Sequence, residues 1–273
     1  MAAVSADEEA GKRGEGEDMN KIRLISLFSG YDSQALSMER LKQNTPPQCQ
    51  FDYELVAWCE IDDNAIKAHN VLFPQWADRN VGDICKVDPD TLPDCDCITW
   101  SFPCQAISNA GKQAGLAEGS GTTSSLAWEC MKIFRAKRPK YLLMENVKAL
   151  TQKKFMPDFL RLQDELTNMG YANFWKVMNA KDMGVAQNRE RVFMVSILRT
   201  ESDRAPTYNF PASTPLTKCV EDYMEPAEEI DESYFISQDR VTNKVLSDIL
   251  DQPNVRAEME KLYHKEWKER LGK

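Results

Sequence analysis

Between residues 21 and 198, short apolar runs alternate with stretches of helical length, and this alternation restricts the chain to an α/β architecture. Runs over 22–28, 53–59, 95–100, 141–144, 174–178 and 191–198 are short and apolar, as buried strands are. Stretches over 35–41, 64–73, 126–137 and 159–169 have the spacing of helices. Arg138-Pro139 and Gly170 stand where the last two of these helices end. The spacing predicts a doubly wound, mainly parallel, Rossmann-like sheet with helices on both faces. Residues 101–125 interrupt it with a long loop rich in Gly, Ser and Gln, a length that compact domains reserve for function or disorder.

The flanks read differently. Residues 1–19 carry six acids and two bases with no apolar periodicity, which predicts a disordered acidic extension. The α/β pattern occupies 20–200. Residues 201–273 begin irregularly, with Pro206, Pro211 and Pro215, and then turn charged and helical over 241–250 and 255–270. The net charge of -9 is uneven: 221–239 hold eight acids and no base. The body between the acidic segments is mildly basic, compatible with phosphate but not a strong electrostatic footprint. No apolar run reaches membrane-spanning length, and no apolar signal core opens the chain, so the expected location is cytoplasmic. The eight cysteines contain no C-x-x-C pair and accompany only two histidines. Cys95 and Cys97 fit one face of a strand better than a zinc site, and no metal or disulfide framework is expected.

Open α/β sheets bind ligands at the carboxyl ends of their strands, and the informative residues sit there. Phe28-Ser29-Gly30 follows the first strand, and Glu60-Ile61 follows the second. Gly82-Asp83-Ile84 falls where a third strand would end. A carboxylate after the second strand suits the hydroxyls of a nucleotide-like cofactor, although one such acid is more often a surface residue or a helix cap. Pro103-Cys104-Gln105 opens the long loop, a placement unlike the buried fate of most free cysteines. Glu145-Asn146-Val147 follows the next strand, where a structural salt bridge is the plainer reading of Glu145. Gln187, Arg189 and Arg191 precede the last one, and on extended chain the two arginines share a face.

Together, and in this order, Pro-Cys-Gln, Glu-Asn-Val and Gln-x-Arg-x-Arg resemble the DNA (cytosine-5)-methyltransferase family over about 21–198. Gly111-Lys112-Gln113 and Asn179-Ala180-Lys181-Asp182 extend the match, and residues 220–237 look like the segment leading out of such a core. The resemblance implies a class I S-adenosylmethionine-dependent methyltransferase fold acting on double-stranded DNA, as restriction–modification enzymes do, with the protein on the nucleoid when bound. It implies Cys104 as the nucleophile on cytosine C6 and a protonated Glu145 bonded to N3. Arg191 and Arg189 would hold the base. It assigns Phe28, Ser29, Gly30, Asp32, Glu60, Ile61, Asp83, Ile84 and Pro103 to S-adenosylmethionine. Gln105, Ser108, Lys112, Gln113, Asn146 and Gln187 go to the substrate, with the long loop closing over a flipped base.

Two departures qualify the resemblance. Where the family has two glycines after Phe-x-Gly, this chain has Asp32 and Ser33. Asp32 fits either the methionine ammonium or, by default, a cap on the helix that follows. Neither the family's target-recognition region nor its closing Gly-Asn-Ser segment is found. A split enzyme whose second chain supplies recognition, a truncated product and a degenerate, non-catalytic homologue all fit that absence. An RNA cytosine-5 methyltransferase is the neighbouring alternative. An amino-methylating enzyme is disfavoured, because it needs an Asp/Asn-Pro-Pro-aromatic turn where this chain has Phe102-Pro103-Cys104-Gln105.

Overall fold

A computed structural model describes residues 21–46, 51–104, 126–200 and 206–226, with 229 and 231. The acidic extension, the loop bearing Gln105, Ser108, Lys112 and Gln113, and the helices expected over 241–250 and 255–270 lie outside the described residues. The chain divides into two compact units, 1–217 and 218–273. In the second, a short 3-10 turn at Glu221–Tyr223 is fixed by the Cys219 amide donating to Asp222 Oδ2 over 2.7 Å.

The first unit is built on one six-stranded sheet. Its strands are β1 (Lys21–Leu27), β2 (Asp52–Cys59), β3 (Cys97–Trp100), β4 (Tyr141–Val147), β5 (Tyr171–Asn179) and β6 (Glu190–Leu198), in the order β2-β1-β3-β4-β6-β5. The four strands β2, β1, β3 and β4 run parallel, and β6 returns antiparallel to both β4 and β5. The expected mainly parallel sheet is present, with an antiparallel β5–β6 pair at one edge. Helices α1 (Ser33–Asn44), α2 (Asp63–Leu72), α3 (Ala127–Lys137) and α4 (Met156–Asn168) connect the strands.

Central β1 has Leu24, Ile25, Ser26 and Leu27 all buried, as a strand covered on both faces must. One side packs Leu24, Leu55, Trp58 and Cys97 against Ala35 of α1 and Phe73. The other packs Ile25, Leu27, Ile98 and Trp100 against α3 and α4 through Met131, Phe134, Phe159 and Leu162. A bulge where Leu24 pairs with Leu55 but Ile25 pairs with Ala57 puts Val56 and Ala57 on this second side. Trp58 thereby faces α2, where it stacks on His69 at 3.7 Å. α3 stops as expected: Arg138 takes a left-handed conformation ahead of Pro139 and its amide bonds the Phe134 carbonyl.

Two expectations need correction. No strand forms before Gly82-Asp83-Ile84; Asn80 makes an isolated bridge to Trp58, and 3-10 turns at Pro74–Arg79 and Ile84–Lys86 fill the space. Pro74 and Gly82, with a positive φ at Gly82, favour turns over extended chain there. Second, Glu145-Asn146-Val147 does not follow β4 but completes it, because the antiparallel β6 prolongs the ladder as far as Val147↔Arg191.

Candidate active site

Among the described residues, the polar positions singled out from sequence lie toward the carboxyl edge of β1–β4. The chain leaves β1 through Phe28 (φ 57) and Gly30 (φ 58), both left-handed, with Asp32 (φ 63) two residues on. A side chain at Gly30 would strain the backbone at this positive φ, but its Cβ would meet nothing within 4 Å. The loop thus borders open space. Across from it, the Glu60 carboxylate is pinned by three backbone amides. Gly30 N donates to Oε2 over 2.9 Å, and Ile61 N and Asp62 N donate to Oε1 over 2.7 and 2.9 Å. Oε1 is saturated, whereas Oε2 retains one acceptor position for a ligand hydroxyl. Ile61 beside it is 70% exposed and Phe28 half-buried, so an apolar surface adjoins that acceptor. Asp83 caps the next turn by accepting from Cys85 N, and Ile84 is buried beneath.

Asp32 takes its default role. Its Oδ1 accepts from Ala35 N over 2.9 Å at the start of α1, and the side chain is fully buried. The second oxygen points into the protein, 3.8 Å from His69 Nε2. Burial raises the Asp32 carboxyl to about 6, against the Ala35 amide and the Ser26 hydroxyl, which both lower it. A side chain without solvent exposure is not placed to meet a methionine ammonium; the cap accounts for it.

β3 ends at Trp100, and the chain continues through Ser101, buried Phe102, Pro103 and Cys104. Cys104 is half-buried. Cys59, Cys95, Cys97 and Cys130 are buried, and burial pushes the first three thiols up to about 12. Thiolate chemistry at those positions is suppressed. Cys95 and Cys97 are both buried but do not share a strand face: Cys95 precedes β3 and packs with the α3/α4 side, Cys97 with the α1 side. Among the described residues no group of three or more His, Cys, Asp or Glu is placed to hold a metal. The turn bearing Cys104 is anchored from β4: Asn146 Nδ2 donates to the Phe102 carbonyl over 3.0 Å. Asn146 is buried, so the structure makes it a support for this turn rather than a substrate contact.

Glu145 projects on the opposite side of β4 from Asn146, as alternation requires. Arg191, across the ladder on β6, places Nε 3.0 Å from Glu145 Oε1. Burial raises the Glu145 carboxyl above the usual carboxylate range; Arg191, Arg189 and a hydrogen bond from Ser101 oppose the rise. Arg189 is exposed and acts on Glu145 by charge, while Arg191 touches it. The expected shared orientation of the two arginines is therefore only partly realised, because Arg189 precedes β6 and its amide is held by Asn179 Oδ1. Gln187 is exposed, with its amide bonded to the Val185 carbonyl. Sequence reasoning missed Gln34 and Ser101. Gln34 Nε2 donates to Ser101 Oγ over 2.9 Å, and a contact between residues 67 positions apart leaves no local pattern.

A mixed, mostly parallel sheet with helices on both faces and a polar carboxyl edge is the class I methyltransferase fold. The profile of C-5 cytosine-specific DNA methylases matches residues 22–271, and the chain belongs to that family. It is 45% identical over 173 residues to the type II methyltransferase M2.ScrFI of Lactococcus lactis subsp. cremoris, covering 63% of this chain and 46% of that protein. It is 40% identical over 146 residues to the orphan methyltransferase M.SssI of Spiroplasma monobiae, covering 52% of this chain and 38% of the other. The matched region thus spans less than half the length of either relative. The S. pombe Dnmt2 methyltransferase has a similar fold, with a TM-score of 0.58 at 17% identity over 82% of this chain and 65% of that one.

Proposed function

We propose that this chain transfers a methyl group from S-adenosylmethionine to C5 of cytosine in double-stranded DNA. The observation that supports this most is a partly exposed thiol just beyond β3 and, at the end of the neighbouring strand β4, a carboxyl held by Arg191 whose proton affinity burial has raised. The family's shared motifs and the type II relatives supply the substrate class.

The cofactor surface fits a nucleoside sulfonium: Glu60 offers an acceptor to ribose hydroxyls, Phe28 and Ile61 offer apolar contact, and Gly30 leaves the approach open. When bound, S-adenosylmethionine supplies an electrophilic methyl group. Cys104, as thiolate, attacks cytosine C6, and the displaced electron pair makes C5 nucleophilic. Glu145 in its protonated form hydrogen-bonds N3 and offsets the charge that attack places on the ring. Arg191 orients that carboxyl. After C5 has taken the methyl group, a base removes the C5 proton and the thiolate leaves C6. The target base must leave the duplex stack to reach Cys104. In this reading, target recognition is supplied outside the described residues, by further chain or by a second subunit.

Trapping on duplex DNA containing 5-fluorocytosine tests the proposal, because fluorine at C5 blocks the final elimination and leaves the protein covalently attached. An adduct with the unaltered chain that disappears in Cys104→Ser is the expected result. Failure to trap, alone and with a recognition subunit present, would remove the catalytic reading. A methyl-transfer assay comparing DNA with tRNA separates the DNA enzyme from the RNA alternative.

A further inference from the structure

We infer that Asn80 and the Cys59 thiol are positioning residues that fix the separation of the two surfaces meeting the nucleoside half of S-adenosylmethionine; this rests on the proposed reading in which Glu60 takes the ribose and the Asp83-Ile84 turn the adenine. The need for such a device follows from the sheet. β2 ends the strand order, laddered to β1 alone. Among the described residues its other side carries only the isolated bridge between Trp58 and Asn80. An edge strand leaves a row of backbone groups without ladder partners, so the segment beside it must be held by other means.

Three consecutive residues at the end of β2 hold the segment 80–82. Val81 N donates to the Trp58 carbonyl over 2.8 Å. Asn80 pairs with Glu60 as a peptide group of a further strand would. Its Oδ1 accepts from Glu60 N over 3.2 Å, and its Nδ2 donates to the Glu60 carbonyl over 3.1 Å. The same Oδ1 accepts from Gly82 N over 2.9 Å. Cys59 Sγ donates to the Gly82 carbonyl over 2.7 Å. Burial pushes this thiol up to about 12, so it keeps the proton it donates. Both polar backbone groups of Gly82 are thus held, directly before Asp83 starts the next turn by accepting from Cys85 N.

One asparagine amide therefore joins the backbone that carries the Glu60 carboxylate to the backbone that carries Asp83 and Ile84. The carboxylate itself is fixed by the amides of Gly30, Ile61 and Asp62. A ligand gripped at two points gains affinity when the separation of those points is set before it arrives. Asn80 and Cys59 set that separation through Glu60 and Gly82, and the methionine half of the cofactor lies outside their reach.

Calorimetric titration of the full chain with S-adenosylhomocysteine and with 5′-methylthioadenosine, which lacks the amino-acid half, tests this without turnover. Asn80→Ala is expected to weaken both ligands by the same factor, on the order of tenfold, the usual effect of losing a buried hydrogen-bonding group. Cys59→Ala is expected to weaken both in the same way, and Cys59→Ser, which keeps a donor, to recover the affinity. At saturating S-adenosylmethionine, trapping on 5-fluorocytosine DNA stays at the level of the unaltered chain. Folded variants with unchanged affinity for both ligands overturn the inference, as does a loss confined to S-adenosylhomocysteine. Should Asn80→Ala fail to fold, the two Cys59 variants carry the test, and a Cys59→Ser as weak as Cys59→Ala overturns it. Weakened variants of a chain that binds cofactor but never traps support the positioning role and remove the catalytic reading. An unaltered chain that binds neither ligand removes the cofactor reading and this inference together.

Discussion

Asp32 and His69 face each other inside the protein, with Asp32 Oδ2 3.8 Å from His69 Nε2 and no hydrogen bond on either atom. The imidazole is also stacked on Trp58. Burial holds His69 below its ordinary value, favouring the neutral ring, and raises Asp32 to about 6. The pair is a local store of electrostatic cost beneath the cofactor loop.

That cost has a defined pH window. An acid raised from 3.8 to about 6 stabilises the fold relative to its charged form only while protonated, so the contribution is complete below 3.8 and lost as pH rises through 6. Linkage converts the rise into a cost on the order of 3 kcal/mol above the window. Asp32→Asn keeps the helix cap and tolerates the left-handed backbone without a charge. Urea unfolding at pH 7.5 is expected to show this variant as the more stable, with the difference shrinking toward zero as pH falls to 4. A variant less stable than the unaltered chain at pH 7.5 would contradict this account.

Arg191 opposes the protonation of Glu145 while holding it in place. Arg191→Ala is expected to raise the Glu145 midpoint further, since one charge favouring the ionised form is gone. Methyl transfer should nonetheless fall, because the carboxyl loses its fixed orientation. Glu145→Gln is expected to lose about 10²–10⁴-fold in rate, the usual contribution of a positioned proton donor. Steady-state rates between pH 5.5 and 9 check both; an Arg191→Ala enzyme with undiminished turnover would exclude the orienting role.

Buried Asn146 supports the turn that bears Cys104. Asn146→Ala leaves the Phe102 carbonyl and the surrounding backbone short of a donor, at a cost of about 1–3 kcal/mol for a buried unpaired group. The expected signature is a lower melting temperature together with reduced trapping by Cys104. Unchanged melting would show that the carbonyl finds another partner.

Thiol accessibility should follow burial. In the folded chain, iodoacetamide is expected to modify Cys104 and the exposed Cys85 and Cys219, and to spare Cys59, Cys95, Cys97 and Cys130. Peptide mass mapping reads this directly. Protection of Cys104 equal to that of Cys97 would refute an accessible nucleophile.

The parts of this molecule legible in its sequence are those governed by short-range rules. The apolar runs of β1, β2 and β3 and the stop of α3 at Arg138-Pro139 follow from period and punctuation alone. Cys104 stood out because it opens a loop instead of lying in a strand. The length of β4 was hidden, since its last three residues pair only because β6 lies beside them. The opposite roles of Glu145 and Asn146, neighbours in the chain, depend on the alternation of that extended strand. The Gln34–Ser101 contact joins residues far apart in sequence, the His69 stack joins a helix to the strand before it, and the residue types alone suggest neither.

The reversal of β6 has a consequence for what a sheet edge can offer. In a wholly parallel sheet, every group delivered to the ligand side comes from a strand that has just finished, so all arrive on loops. Because β6 travels the other way, Arg191 reaches the same rim near a strand's beginning, already braced by the ladder bonds of two neighbours. One flank of that rim is built from chain leaving finished strands, the other from a strand start held on both sides, and the guanidinium belongs to the second.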